Sequence, residues 1–176
     1  ERYYGAYNRS QMTNSKNGSH LDDDRLVEEG DQRISSILGS VSVIIPTNRD
    51  RIPTIDSTPP TVETIVRRDE GRSIARNRGV AEASREWLVL ADDDITFPTT
   101  LTATLIDAMH ERHLVGLEGF PPVNGLLTRY MILHRTLWEA TGGFDESREH
   151  GEDTEFVFRA EKQGARVVPL PRRIVP

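Results

Sequence analysis

Five non-polar residues followed by three carboxylates, Trp87-Leu88-Val89-Leu90-Ala91-Asp92-Asp93-Asp94, constrain this chain more than any other segment. A wholly apolar run of that length fits a parallel strand covered on both faces, the kind of strand an α/β domain contains. Ligands of open α/β sheets bind at the carboxyl ends of the strands, so Asp92, Asp93 and Asp94 emerge where a ligand is expected. If the extended form persists, side-chain alternation turns Asp92 and Asp94 to one side and Asp93 to the other. Two convergent carboxylates suit a hard cation. The competing reading is a polar turn or helix cap, a common use of acidic residues before a helix. An EF-hand is excluded, because its alternating ligands and its glycine are absent after Asp94.

At 176 residues and 36% hydrophobic content the chain has one domain's worth of core. No apolar stretch approaches the roughly 20 residues that span a bilayer, so no transmembrane segment is expected. The N-terminus also lacks a basic-then-apolar secretory pattern. The absence of cysteine excludes disulfides and thiolate metal sites and fits a cytoplasmic chain. A net charge of -6 argues against a general nucleic-acid surface. Of the 22 basic residues only Lys16 and Lys162 are lysines. Arginine favours bidentate phosphate contacts, which matters if the substrate carries a diphosphate.

Residues 1–40 read as a flexible or peripherally packed arm: Tyr3, Tyr4 and Tyr7 precede a polar stretch with little apolar periodicity before Ile34. A short helix is expected over Leu21–Leu38, ending at Gly39. Asn8-Arg9-Ser10 and Asn17-Gly18-Ser19 match the N-glycosylation sequon, a tripeptide that arises by chance in polar segments. From Val41 to Pro176 the alternation of an α/β domain sets in. Strands are expected at Val41–Pro46, Val62–Arg67, the Trp87 run, Leu114–Leu117, Tyr130–Leu133 and Arg166–Pro169. Ser73 can cap a helix through about Arg85, where Ala75, Gly79 and Ala83 form a small-residue face for close packing on a sheet. Pro98 starts a second helix with Leu101, Leu105 and Met109 as its inward face. A Pro and Gly loop covers Phe120–Gly125. The turn Gly142–Asp145 precedes a further helix that buries Phe156 and Ala160 and ends at Gly164.

Three segments stand in order: Val43-Ile44-Ile45-Pro46-Thr47-Asn48-Arg49; then Arg72-Ser73-Ile74-Ala75-Arg76-Asn77-Arg78-Gly79 with Leu90–Asp94; then Gly142-Gly143-Phe144-Asp145 with Gly151-Glu152-Asp153. In this order they resemble the family 2 glycosyltransferases. The resemblance implies the GT-A fold, a Rossmann-like, mostly parallel sheet flanked by helices. It also implies transfer of a sugar from a nucleotide diphosphate sugar to an acceptor hydroxyl, usually with inversion, using Mg2+ or Mn2+. Asp92 and Asp94 match the Asp-X-Asp metal motif, and Asp93 lies between them against the nucleotide. One or two carboxylates plus substrate phosphates suffice for Mg2+, and a divalent cation neutralises a departing diphosphate. Asp153 matches the catalytic base, with Glu152 as runner-up. At a helix N-terminus the dipole should hold Asp153 ionised; its alternative role is a cap. By the same resemblance Thr47, Arg49, Asp69 and Arg76 contact the nucleotide. Arg72 and Arg78 read as solvated surface charges, and His134 and His150 as ordinary surface or packed histidines.

The chain departs from the family pattern twice. Thr47–Thr61 is short and carries Pro53, Pro59 and Pro60, so an abbreviated loop is expected where a parallel crossover normally holds a helix. The family also often has a histidine soon after the last strand, whereas this sequence ends at Pro176. A minimal or truncated enzyme, or one that works with an oligomeric or other partner subunit, fits that ending. Two other functions compete. A sugar nucleotidyltransferase shares the fold but needs a glycine-rich loop after the first strand, and Pro46-Thr47-Asn48-Arg49-Asp50 has no glycine. A nucleotide-sugar or metal-binding module without turnover would keep Asp92 and Asp94 but transfer nothing.

Overall fold

The structure, a computed structural model, describes residues 19–120 and 125–175, with side chains from Arg25 onward. Tyr3, Tyr4, Tyr7, Asn8, Asn17 and residues 121–124 of the Pro and Gly loop lie outside the described residues. Packing divides the chain into two units, residues 1–33 and 34–176. The described part of the first is residues 19–33 of helix α1 (Ser19–Leu38), whose last residues fall in the second unit and which ends, as expected, before Gly39. Among the described residues no helix is long and apolar enough to cross a membrane.

The second unit runs β1 (Val41–Pro46), α2 (Pro53–Ser57), β2 (Glu63–Arg67), α3 (Arg72–Glu82), β3 (Trp87–Ala91), α4 (Thr99–Ala108), β4 (His113–Glu118), β5 (Leu126–His134), α5 (Arg135–Thr141), α6 (Glu152–Lys162) and β6 (Arg166–Leu170), closing on a 3-10 turn at Arg172–Ile174. One six-stranded sheet has the order β2-β1-β3-β5-β4-β6. β1 is parallel to β2 and β3, β4 is parallel to β6, and β5 is antiparallel to both β3 and β4. Five strands therefore share one direction and β5 alone is reversed. The chain leaves β1 for β2 on one side and returns to β3 on the other. This order reverses direction at β1, and the crevice beyond the carboxyl ends of β1 and β3 is where such sheets bind ligands.

The strict alternation of the central strands builds two cores. Val41, Val43, Ile45, Val89, Ala91, Tyr130 and Ile132 face one side with Ala103 and Ile106 of α4. Ile44, Leu88, Leu90, Met131 and Leu133 face the other with Val80 of α3, Leu137 and Trp138 of α5, and Phe156, Val157 and Ala160 of α6. Helices cover both faces, which is why these strands read as continuous apolar runs. The small-residue face of α3 performs as its composition predicts, for a Cβ on Gly79 would press into Ile44 Cγ2.

Two expectations change. Pro53 begins the five-residue α2 instead of preventing a helix, since a proline at the first helical position costs no hydrogen bond. The buried face of α4 is Thr102, Ala103 and Ile106, with Leu105 and Met109 only partly buried beside it. Thr102 turns inward because its hydroxyl shares a hydrogen bond of 2.7 Å with the hydroxyl of buried Tyr130. Burial drives that phenol's pKa well above its ordinary value.

Candidate active site

β3 ends at Ala91, and Asp92–Asp94 leave it in a turn, so strand alternation does not carry through the three carboxylates. The ladder reaches one residue further through Asp92 N–H, which donates to Arg129 O at 3.0 Å. The turn is latched from α2. Thr54, fully buried, donates its hydroxyl to Asp92 O at 2.7 Å and accepts from Ile95 N–H at 3.1 Å. A threonine in the proline-rich crossover thus holds the acidic loop.

The three side chains have different sets of partners. Asp93 accepts from the Thr47 hydroxyl and pairs with Arg49 at 3.1 Å. Asp94 lies between Arg129 at 2.8 Å and Arg49 at 3.4 Å. Asp92 is 3.8 Å from Arg76. A cleft of about 390 Å³ opens beside them, and Thr47, Arg49, Asp69, Arg72 and Asp92–Asp94 are among its lining residues. At its wall Asp69 takes two hydrogen bonds from Arg67, at 2.8 and 3.1 Å, and one from Arg78. These donors hold the Asp69 carboxyl down at about 2.

A second cavity of about 370 Å³ adjoins the first, with Arg72 and Asp92 in the walls of both. It is lined by Arg76, Thr128, Arg129, Glu152, Asp153 and Arg172 over an apolar patch of Leu117, Leu127 and Phe120. Arg76, with only 3% of its side chain exposed, stands at its centre of charge. Its guanidinium is 3.2 Å from Glu152, 3.7 Å from Asp153 and 3.8 Å from Asp92. The ring of Phe144 lies 5.4 Å beneath it. Its Nε is buried without a hydrogen-bond partner in the protein, which is rare for a buried donor.

Asp153 sits in the first turn of α6, where both its oxygens accept from Thr128: from the backbone N–H at 3.1 Å and from the hydroxyl at 2.9 Å. Burial raises the Asp153 pKa, and neighbouring Glu152 adds to this, while Arg76 and the Thr128 bonds pull the other way. The dipole argument is thus outweighed by desolvation. Asp92 is raised for the same first reason, with the Asp94 charge contributing. The segment before α6 is anchored by Asn77, which donates to Phe144 O and accepts from Phe144 N–H, both at 2.9 Å. Gly143 is required there: its φ is +72°, and a Cβ would meet Asn77 Oδ1.

The donor set fits a divalent cation in one way. Asp92 and Asp94 offer carboxylate oxygens, the ligands of Mg2+ and Mn2+, and Asp94 raises the Asp92 pKa, a repulsion that a cation relieves. Among the described residues no group of three His, Cys, Asp or Glu side chains could hold a metal ion. An ion held by these two carboxylates would need its remaining ligands from diphosphate oxygens and water.

The structure brings Thr47, Arg49, Asp69 and Asp92–Asp94 to the first cavity, and Arg76, Glu152 and Asp153 to the second. Arg72 lines both while remaining exposed, beyond its reading as a plain surface charge. His134 caps α5, accepting from Thr136 N–H, and packs edge-on against Trp87 at 5.0 Å, as expected of a packed histidine. Thr54, Thr128, Arg129 and Arg172 were not singled out in the sequence. The residue pair Thr128-Arg129 carried a signal in its position, just before the apolar run at Tyr130.

A mixed sheet of this order, with an acidic turn at the switch crevice, is the GT-A fold. The chain belongs to Glycosyl transferase family 2, whose sequence profile matches residues 51–164. No curated protein matches it in sequence. Among solved structures it is similar to the mannosyltransferase PcManGT from Pyrobaculum calidifontis, in complex with GDP-Man and Mn2+: TM-score 0.60, 16% identity, 88% of this chain and 64% of that one. It is also similar to the catalytic domain of Drosophila β1,4-galactosyltransferase 7, with TM-score 0.56, 17% identity, and 75% and 64% of the two chains. Residues 1–349 of S. aureus TarS match with TM-score 0.56, 18% identity, and 76% and 58% coverage. The matches thus span less than two thirds of the length of these neighbours.

Proposed function

We propose that the chain transfers a hexosyl group from a nucleotide diphosphate sugar to an acceptor hydroxyl, with inversion and with the help of Mg2+ or Mn2+. One observation carries the reading. The acidic turn and Asp153 line adjoining cavities that meet at Asp92, and buried Arg76 bridges them. The neighbours described with GDP-Man and with UDP-Gal, each with manganese, support a hexosyl donor and a divalent ion.

In this mechanism Thr47, Arg49 and Asp69 hold the nucleotide in the first cavity, and Asp92 and Asp94 would hold the cation. When bound, that ion supplies positive charge beside the departing diphosphate. Asp153 accepts the acceptor's hydroxyl proton as the oxygen bonds to the anomeric carbon. The bond from that carbon to the diphosphate breaks, and its electron pair leaves with the nucleoside diphosphate. A raised pKa brings Asp153 nearer the operating pH, which suits a base. Thr128 fixes its orientation. Glu152, paired with Arg76, is a positioning residue.

The test is transfer and donor hydrolysis across UDP-, GDP- and dTDP-sugars, each with and without Mn2+. Asp153→Asn should lower turnover by about 10²–10⁴-fold, the usual share of a general base, while nucleoside diphosphate affinity holds. Absence of both binding and turnover with every donor would overturn the proposal. Equal loss of binding and turnover in Asp153→Asn would remove Asp153 as the base.

A further inference from the structure

Among the described residues Arg172 and Arg72 are the cavity's arginines without a close acidic partner, although the charge of Arg72 is felt at Asp92. The acids of the second cavity, Asp92, Glu152 and Asp153, all lie within 3.8 Å of Arg76. Arg129 is matched by Asp94. Arg72 and Arg172 make no ion pair or side-chain hydrogen bond among the described residues, in a chain whose net charge is -6. Arg172 lines the second cavity, with Asp153 and with Asp92 at its border, and not the first, where Asp93, Asp94 and the proposed nucleotide contacts stand.

Its setting is specific. The 3-10 turn after β6 places the Arg172 guanidinium 4.1 Å from the ring centroid of Phe120. Stacking occupies the flat face of a guanidinium and holds its plane, while the N–H donors on its edge stay free. That edge matches the oxygens of a phosphate, which arginine binds through two parallel hydrogen bonds.

From this arrangement we infer that the acceptor carries a phosphate, held by Arg172 with Arg72 at the border between the cavities, so that its hydroxyl is presented to Asp153. The inference rests on the proposed transfer and names the acceptor's class. Two sources supply that chemistry, a soluble sugar phosphate and a phospholipid-type headgroup. The apolar patch of Leu117, Leu127 and Phe120 beside the arginines accommodates either.

The test uses the full chain saturated with Mn2+ and the nucleoside diphosphate that binds it, and follows arginine Nε–Hε signals by NMR during titration with inorganic phosphate. Phosphate should bind alongside the nucleotide, shifting the Arg172 signal. Arg172→Ala should weaken it about tenfold or more, the scale of a hydrogen bond to a charged group, with nucleotide affinity retained. Arg172→Lys should restore part of the loss. Glucose 6-phosphate and vesicles of phosphatidate or phosphatidylcholine then separate the sources: tighter binding of the sugar phosphate indicates a soluble acceptor, and selective binding of phosphatidate vesicles a lipid one. No phosphate binding to the nucleotide-saturated protein would overturn the inference, as would binding unaffected by Arg172→Ala. Displacement of phosphate by the nucleotide would also overturn it, by assigning Arg172 to the donor site. If no nucleoside diphosphate binds with Mn2+, the transferase proposal itself fails and takes this inference with it.

Discussion

Arg76→Met removes one buried charge and leaves three carboxylates within reach of the gap. Arg76 is 3.2 Å from Glu152, 3.7 Å from Asp153 and 3.8 Å from Asp92, and it is almost wholly buried. Each such contact has a gross attraction of about 4 kcal/mol near 4 Å at an effective dielectric of about 20. Desolvation offsets much of it, and removing one partner of a buried pair typically costs about 3–5 kcal/mol. For a chain of this size that lowers the melting temperature by roughly 6–20 °C. The pH dependence separates charge from packing. Asp92 and Asp153 already have folded-state pKa values raised by burial, and Arg76 is the largest charge opposing that rise in both, with Arg129 and Arg72 adding to it at Asp92. Without it both climb further. A carboxyl whose folded pKa exceeds its unfolded value favours the folded state fully below the unfolded pKa, and that contribution is lost as pH rises through the folded one. The gap in stability between Arg76→Met and wild type should therefore be widest at neutral pH and narrow on acidification. Urea denaturation at a series of pH values measures it. A gap that stays constant with pH would show that Arg76 matters through its packing on Phe144, and the electrostatic account would be wrong.

Thr54→Val keeps the side chain's shape but leaves the buried Ile95 N–H without a partner, so about 2 kcal/mol should be lost, or roughly 4–8 °C in melting temperature. Thr54→Ser should retain most of it, and equal damage from both variants would point to the methyl group instead. Asp94→Ala should abolish the Mn2+ dependence of nucleoside diphosphate binding. Its ion pairs are partly exposed, so stability should change by no more than about 1 kcal/mol; unaltered metal dependence by calorimetry would refute its assignment. Gly79→Ala should cost about 1–3 kcal/mol by overpacking against Ile44, and a neutral result would mean that α3 can move off the sheet.

Strands were legible because both faces of the sheet are covered: an uninterrupted apolar run can hardly be anything else in a chain this short. The acidic turn was legible because it follows such a run. Other features depend on relations that a linear reading does not contain. Nothing in Leu126–His134 distinguishes a reversed strand from a parallel one. The leucines of Thr99–Ala108 outweigh Thr102 on any hydrophobic count, yet the threonine is inside because a tyrosine hydroxyl 28 residues away needs a partner. Thr54 looked like crossover filler, and its role exists only once α2 lies against the turn after β3. Arg172 gained its place from β6 pairing with β4 at the edge of the sheet, which carries the chain's last residues back to the same crevice.

The reversal of β5 has a mechanical consequence. A parallel strand beside β3 would bring its last residues to the crevice, where a loop begins. Running the other way, β5 brings Thr128 and Arg129 there, at the irregularity where its pairing with β4 shifts register and just before its ladder with β3 begins at Tyr130. Arg129 fixes the acidic turn twice, accepting from Asp92 N–H and pairing with Asp94, while the adjacent Thr128 holds both oxygens of Asp153. Under the proposed mechanism the cation's carboxylates and the base are thus registered by two consecutive residues of one strand. Their spacing follows from the backbone of that strand, and sites built on strands hold their groups more precisely than sites built on loops. Arg76 completes the arrangement from α3, contacting Asp92 on one side and Asp153 on the other, so that strand and helix together set the distance that transfer requires.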